Sequence, residues 1–200
     1  MSASVMLAAL AIEATVGWPD AFYRRIGHPV AWLGRVIAWA DRRLNQASWS
    51  HGARYAAGAA VTVVIVATVF GAFTLIAKAL PDDWSGWAVE AAMASTLLAS
   101  RSLFEHVAAV GAPLAQGDLE GARLAVSKIV GRDPALLDEA GVARATIESL
   151  AENSSDGVIA PLFWGVLLGL PGIAAYKAVN TLDSMIGHRS EKHLAFGGFA

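Results

Sequence analysis

The stretch from Tyr55 to Leu80 carries a single charge, Lys78, among apolar residues, glycines and threonines. As one helix it would reach roughly 39 Å, enough to cross a hydrocarbon core of about 30 Å with some tilt. A segment of this kind belongs in lipid or at the centre of a large core, and composition decides between them. Of 200 residues, 56% are hydrophobic and 16% charged, and the mean hydropathy is +0.49. A soluble domain carries about 25% charged residues. The remaining apolar residues gather in runs between charged blocks, which predicts an all-α, polytopic membrane protein.

Further membrane helices are expected over about residues 2–17, 84–100 and 158–176. The first run lacks the basic start of a secretory signal and contains Glu13, so it reads as an uncleaved helix. Segment 84–100 holds Glu90 and spans only if that carboxylate faces other helices or water. Pro81, Asp82 and Asp83 form an acidic turn that pairs it with the long run, with Trp84 and Trp87 at the interface. The loop after the first helix carries Arg24, Arg25, Arg35, Arg42, Arg43 and Arg54 against Asp20 and Asp41. The positive-inside rule places this loop in the cytoplasm, and with it the polar helical segment 101–157. Breaks in that segment are expected at Gly111 to Pro113, Gly117 and Gly131 to Pro134. The last run contains Pro161, Gly165, Gly169, Pro171 and Gly172. A broken or re-entrant helix there would keep the polar motifs on either side of it on one face of the membrane.

The motif from Ile129 to Gly157 holds the densest chemistry. Arg144, Glu148 and Glu152 follow at i, i+4 and i+8 on one helix face, with Asn153 and Asp156 in an Asn-Ser-Ser-Asp-Gly turn at its end. Neighbouring carboxylates repel unless a cation relieves them, which suits Mg²⁺ beside a phosphate-bearing substrate. A solvated face of intrahelical ion pairs is the plain alternative. In the motif from Tyr176 to His193, Asn180, Ser184 and His188 share a helical face, with Asp183 and Gly187 beside it and Lys177 and Arg189 around it. That set could bind phosphate and activate an amine, or Asn180 or Asp183 could simply cap a helix end. His188 and His193 are poorly spaced for zinc. In Gly27 to Arg35, His28 precedes Pro29 and therefore sits in a turn entering a helix. It either faces substrate or heads an interfacial helix of Trp32, Val36, Trp39 and arginines.

Several classes are excluded or disfavoured. There are no cysteines, hence no disulfide or thiol chemistry, and a net charge of -2 does not suit nucleic acid. No GxxxxGK[ST], GxGxxG, GxSxG or HExxH motif occurs, so any nucleotide is held unconventionally.

The motifs GHPVAWLGR, SRSLFEH, GDLEGAR with SKIVGRDP, ARATIESLAENSSDGVIAPLFW and YKAVNTLDSMIGH, taken in this order, resemble the adenosylcobinamide-phosphate synthase family of cobalamin biosynthesis. The resemblance implies a multi-pass protein of the cell inner membrane with its active site facing the cytoplasm. It implies an ATP- and Mg²⁺-dependent ligase that amidates adenosylcobyric acid with (R)-1-aminopropan-2-ol phosphate or aminopropanol. Its partners would be these small molecules, membrane lipid and other membrane enzymes of the corrinoid pathway. On that reading Glu148, Glu152 and Asp156 hold Mg²⁺, and Glu148, Asp183 and His188 are catalytic, with Asp183 or His188 deprotonating the amine. His28, Arg132, Arg144, Asn153, Lys177 and Asn180 bind substrate or phosphate. The chain departs from the family at Glu13, where an aspartate is usual, and at Gly17, Trp18, Pro19, where the family has Gly-Asp-Pro. It also stops at FGGFA, where similar proteins continue, so a C-terminal part of the family domain is expected to be missing. A transporter or a non-catalytic sensor on the same scaffold are the competing readings.

Overall fold

The computed structural model describes residues 2–18, 24–25, 27–131 and 133–200. Among them the regular structure is entirely helical. The helices are α1 (Ser2–Val16), α2 (Pro29–Leu44), α3 (His51–Ala79), α4 (Trp84–Ser95), α5 (Ser100–Ala115), α6 (Leu119–Val126), α7 (Glu139–Ser154) and α8 (Ala160–Leu182). Two π-helical turns, Ser155–Ile159 and Asp183–Gly187, precede and follow α8. Short polar side chains start most helices by accepting the orphan N–H groups of the first turn. His28 Nδ1 accepts from Val30 N–H, with Pro29 at the first helical position. Ser50, Asp83, Asp118 and Asp138 accept in the same way at α3, α4, α6 and α7.

Two helical stretches, α3 and Glu139–Gly187, are long and apolar enough to cross a membrane. The most apolar window of α3 has a mean hydropathy of 2.5 and is only 11% buried. Its apolar surface, including Val63, Val64, Phe70 and Leu75, is thus left facing outward.

The second stretch is not one rod. Gly169 adopts φ 68° and ψ −156°, a conformation a side chain would strain, and α8 breaks there. Asp156 and Tyr176 would stand about 30 Å apart in a straight helix. Instead the Tyr176 hydroxyl lies 3.4 Å from Asp156 Oδ1, so the chain doubles back at Gly169. Gly172 makes the fold-back tight, because a Cβ there would overlap the Trp164 carbonyl.

The returning arm of α8 joins two cores. Leu170, Ile173 and Ala174 pack with Val5, Met6 and Ala9 of α1 and Ala91 and Ala94 of α4. Farther along, Ala178 and Leu182 pack with Ile37 and Ala40 of α2, Val61 and Ile65 of α3, and Phe196. A third cluster, Val110, Ala122, Val126, Val142 and Ala145, holds α5, α6 and α7 together as a separate polar-faced bundle.

Several expectations need correction. Segment 84–100 is not one spanning helix: α4 ends at Ser95, and twelve residues reach only about 18 Å. The chain turns at Thr96 to Ala99, where the Ser95 and Thr96 hydroxyls bond back to Ala92 and Met93 carbonyls. Gly111 to Pro113 do not break α5, because Pro113 falls in the final turn of that helix. Gly117 does break the chain, with φ 74°. The Asn-Ser-Ser-Asp-Gly motif is not a turn but a widened π-helical passage, in which Ala160 N–H bonds Ser155. His188 is extended, φ −72° and ψ 142°, so it does not share a helical face with Asn180 and Ser184.

Candidate active site

Two clefts open where α1, α5, α7 and α8 converge, and Ala99, Ser102 and Lys177 line both. The first, of about 660 Å³, is walled by Val16, Trp18, Val30, Leu97 and Leu98, with Glu13, His28, Arg101 and Glu105 among its polar residues. The second, of about 620 Å³, is lined by His106, Lys128, Glu152, Asn153, Asp156, Asn180 and Ser184.

The second cleft exists because of the fold-back. Asp156 Oδ2 accepts from Asn180 Nδ2 at 3.1 Å, and Lys177 Nζ lies 3.5 Å from the Asp156 carbonyl. Asn153 Nδ2 donates to the Ser149 carbonyl at 2.8 Å, and Ser149 Oγ donates to the Ile129 carbonyl, tying α7 to the Lys128 loop. The π-helical passage opens the backbone locally, and Ala99 N–H bonds the Gly157 carbonyl at 3.1 Å. One bond thus anchors the start of α5 beside Asp156.

In the first cleft Glu13 is only 5% exposed. Its carboxylate accepts from the Ser100 N–H at 2.9 Å, the Ser100 hydroxyl and the Arg101 N–H. The positive end of α5 thereby compensates a buried charge on α1. Arg101 in turn bonds the Thr15 carbonyl and Glu105 Oε1, the latter at 2.8 Å. His28 uses Nδ1 to accept from Val30 and has a backbone hydrogen bond with Thr96. Burial and then the Lys177 charge push its pKa below the ordinary 6.5, with the Thr96 bond opposing them. Both effects favour the neutral ring.

These motifs are those of one family. The family model described as CobD/Cbib protein matches residues 6–200. The chain belongs to the CobD/Cbib family. It is 51% identical over 195 residues to the cobalamin biosynthesis protein CobD of Rhodobacter capsulatus, covering 98% of this chain and 61% of that protein. It is 47% identical over 198 residues to the CobD of a Sinorhizobium species, covering 96% and 60%. With that of Brucella suis it shares 45% over 197 residues, covering 98% and 60%. The chain thus spans about 60% of the length of these curated relatives. No solved structure matches it.

Against this family background, the fold assembles some of the expected residues and leaves others apart. Glu152, Asn153, Asp156, Lys177 and Asn180 line one cleft, and His28 meets Lys177 in the other. Arg144 and Glu148 lie on the exposed side of α7 and line neither cleft. Asp183 and His188 are exposed beyond Asn180 and also line neither, although Asp183 is within electrostatic reach of Tyr176. The His188 ring packs edge-on against His193 at 5.7 Å, and His193 Nε2 lies 3.3 Å from Asp41. Arg132 lies outside the described residues.

Mg²⁺ is usually held by one or two carboxylates together with water and substrate phosphates. Glu152 and Asp156, flanked by two amide side chains, match that donor set. Among the described residues no three acidic or imidazole groups stand close enough to hold an ion by themselves. Glu148 accordingly does not complete a ready-made cluster with them.

The site residues that sequence spacing missed are Glu13, Ser102, Glu105, His106 and Lys128. The motif SRSLFEH was the available signal, since a helix beginning at Ser100 places Ser102, Glu105 and His106 at i, i+3 and i+4 on one face.

Proposed function

We propose that this chain carries the substrate-binding helices of a polytopic membrane ligase of cobalamin biosynthesis. The reaction joins a carboxylate of adenosylcobyric acid to (R)-1-aminopropan-2-ol phosphate, or to aminopropanol, with ATP and Mg²⁺ as co-reactants. What supports it is the return of Lys177 and Asn180 to Asp156 across the Gly169 break, in a family whose curated relatives are named for cobalamin biosynthesis. The fold-back is read as re-entrant in the inner membrane, its polar mouth at the cytoplasmic face with the arginine-rich stretch around α2.

ATP and Mg²⁺ would supply the activation a carboxylate needs before an amine attacks it. The chain's own residues do the rest. Glu152 and Asp156 offer metal ligands, and the Asn180 amide keeps Asp156 oriented. Lys177 neutralises phosphate where the two clefts meet, with Asn153 alongside; Arg132 and Arg144 are the further phosphate contacts of this reading, Arg144 from the exposed side of α7. His28, its Nδ1 lone pair engaged by the Val30 N–H, positions substrate rather than taking a proton. If Asp183 or His188 deprotonates the ammonium, the amine arrives from the far side of Asn180, since both stand outside the clefts. Glu148 would act from the outer face of α7.

The test is to incubate membranes holding this chain, and a version continued to its relatives' length, with adenosylcobyric acid, aminopropanol phosphate, ATP and Mg²⁺. A corrinoid mass matching amide formation is expected. No product from a folded, full-length version would refute the ligase reading.

One observation favours a second reading, transport. Glu90 Oε1 lies 3.8 Å from the Cβ position of Gly169, and a carboxylate at an unwound helix is how some carriers hold a coupling ion. Transport would then depend on Glu90, whereas amide formation would survive Glu90→Gln.

A further inference from the structure

Lys177 is the side chain on which both clefts converge, and the two differ in what remains unspent. In the first, the Glu13 charge is taken up by the start of α5, and Arg101 is paired with Glu105. Lys177, which reaches only the Asp156 backbone carbonyl at 3.5 Å, is left as its cation without a carboxylate hydrogen bond, beside the His28 imidazole and an apolar wall of Val16, Trp18, Val30, Leu97 and Leu98. In the second, Glu152 makes no hydrogen bond or ion pair among the described residues, and the Asp156 carboxylate receives only the Tyr176 hydroxyl and the Asn180 amide. That cleft has two carboxylates without an ion-pair partner among the described residues, plus Lys128, and a smaller apolar wall, from Leu103, Ile129 and Val130.

We infer that the clefts are two substrate chambers divided by Lys177. The metal-bound phosphates of the nucleotide occupy the chamber of Glu152, Asp156 and Lys128, and the carboxylate arm of the corrinoid enters the chamber of His28, Arg101 and Trp18. The inference rests on the ligase reading and adds which ligand lies on which side. The chemistry of each wall assigns it. A metal-phosphate group needs anionic and cationic partners together, whereas a carboxylate on an apolar frame needs one cation and an apolar surface. The shared lysine then stands where the two reacting ends meet.

The absence of cysteine makes the assignment testable by single-cysteine labelling. Val16→Cys reports on the first chamber and Ser184→Cys on the second, with Val30→Cys and Gly131→Cys as second reporters should either fail to fold. Maleimide labelling would be timed in folded full-length protein, with Mg²⁺ and a non-hydrolysable ATP analogue or with adenosylcobyric acid. Near ten times its Kd, each ligand should slow labelling in its own chamber about tenfold and leave the other nearly unchanged. Lys177→Met should weaken both protections. Protection of the same cysteine by both ligands, or the reverse pattern, overturns the two-chamber inference while leaving the ligase reading intact. Protection of neither by either ligand overturns both.

Discussion

α3 and α8 are both apolar helices with glycines in them, yet one presents a bare surface and the other builds the site. In α3, Gly71 meets nothing within 4 Å and the helix runs on unbroken. In α8, Gly169 takes a left-handed conformation, Gly165 admits Met6, and Gly172 admits the Trp164 carbonyl. Apolar content is therefore a statement about where a helix resides, whereas the packing around its glycines decides whether it can carry polar chemistry back to a chosen point. Gly58 shows that α3 obeys the same rule at its one close approach, where a Cβ would overlap the Phe196 carbonyl.

The sharpest break of this comparison is chemical. Asp156→Asn, at the point the fold-back creates, should lower amide formation about 10²- to 10³-fold. Thermal stability in detergent should change little, because the Asn180 contact can persist. A variant with wild-type rate would show that the cleft is not the site. Next, Gly58→Ala should cost about 1–3 kcal/mol, as overpacking does, by displacing the Phe196 segment. An unchanged melting temperature would mean that this contact is loose. Gly169→Ala should cost about 1–3 kcal/mol, because φ 68° with ψ −156° is a region essentially reserved for glycine, while Gly71→Ala in α3 should be neutral or stabilise by up to about 1 kcal/mol. Equal effects of the two would erase the distinction drawn between the helices.

The smallest effects are in pH. His28 has a folded pKa below its ordinary value, so its contribution is present above about 6.5 and is lost as pH falls through that value toward the folded one. Melting temperature should therefore drop between pH 7 and pH 5 in the wild type and drop less in His28→Gln. At Asp41, burial works to raise the pKa, but hydrogen bonds from Lys192, Asn45 and His193 and the Lys192 charge outweigh it and hold the carboxyl below its usual range. That stabilisation is present above the ordinary carboxylate value and fades only as pH falls below about 4. Melting temperature should then fall as pH drops below about 4, and should fall less in Asp41→Asn.

Much of this arrangement was legible in the residues. Hydropathy alone marks α1, α3 and the apolar stretch of α8, and Asp83, Asp118 and Asp138 mark helix starts by a local hydrogen bond that needs no distant partner. The clustering of Gly165, Gly169, Pro171 and Gly172 announces a break. What spacing could not locate was the partner of each polar group. Glu148 and Glu152 are equivalent on a helical wheel, but Glu152 lines a cleft and Glu148 does not. His188 was read on the face of Asn180, but the π-helical turn ends at Gly187 and releases it. Glu13 looked like a lone charge in an apolar helix until the start of α5 arrived above it.

The sequence by itself determined which segments avoid water, where the chain can bend and which motifs carry charge, because those properties belong to single residues and their near neighbours. Tertiary structure alone decided that the bend at Gly169 is a full reversal, that Asp156 meets Tyr176 and Asn180, and that Lys177 stands between two clefts. Those are contacts between residues some twenty positions apart or more. Their formation depends on how the small residues of α8 allow it to approach α1, α3 and its own first half, which no local pattern encodes.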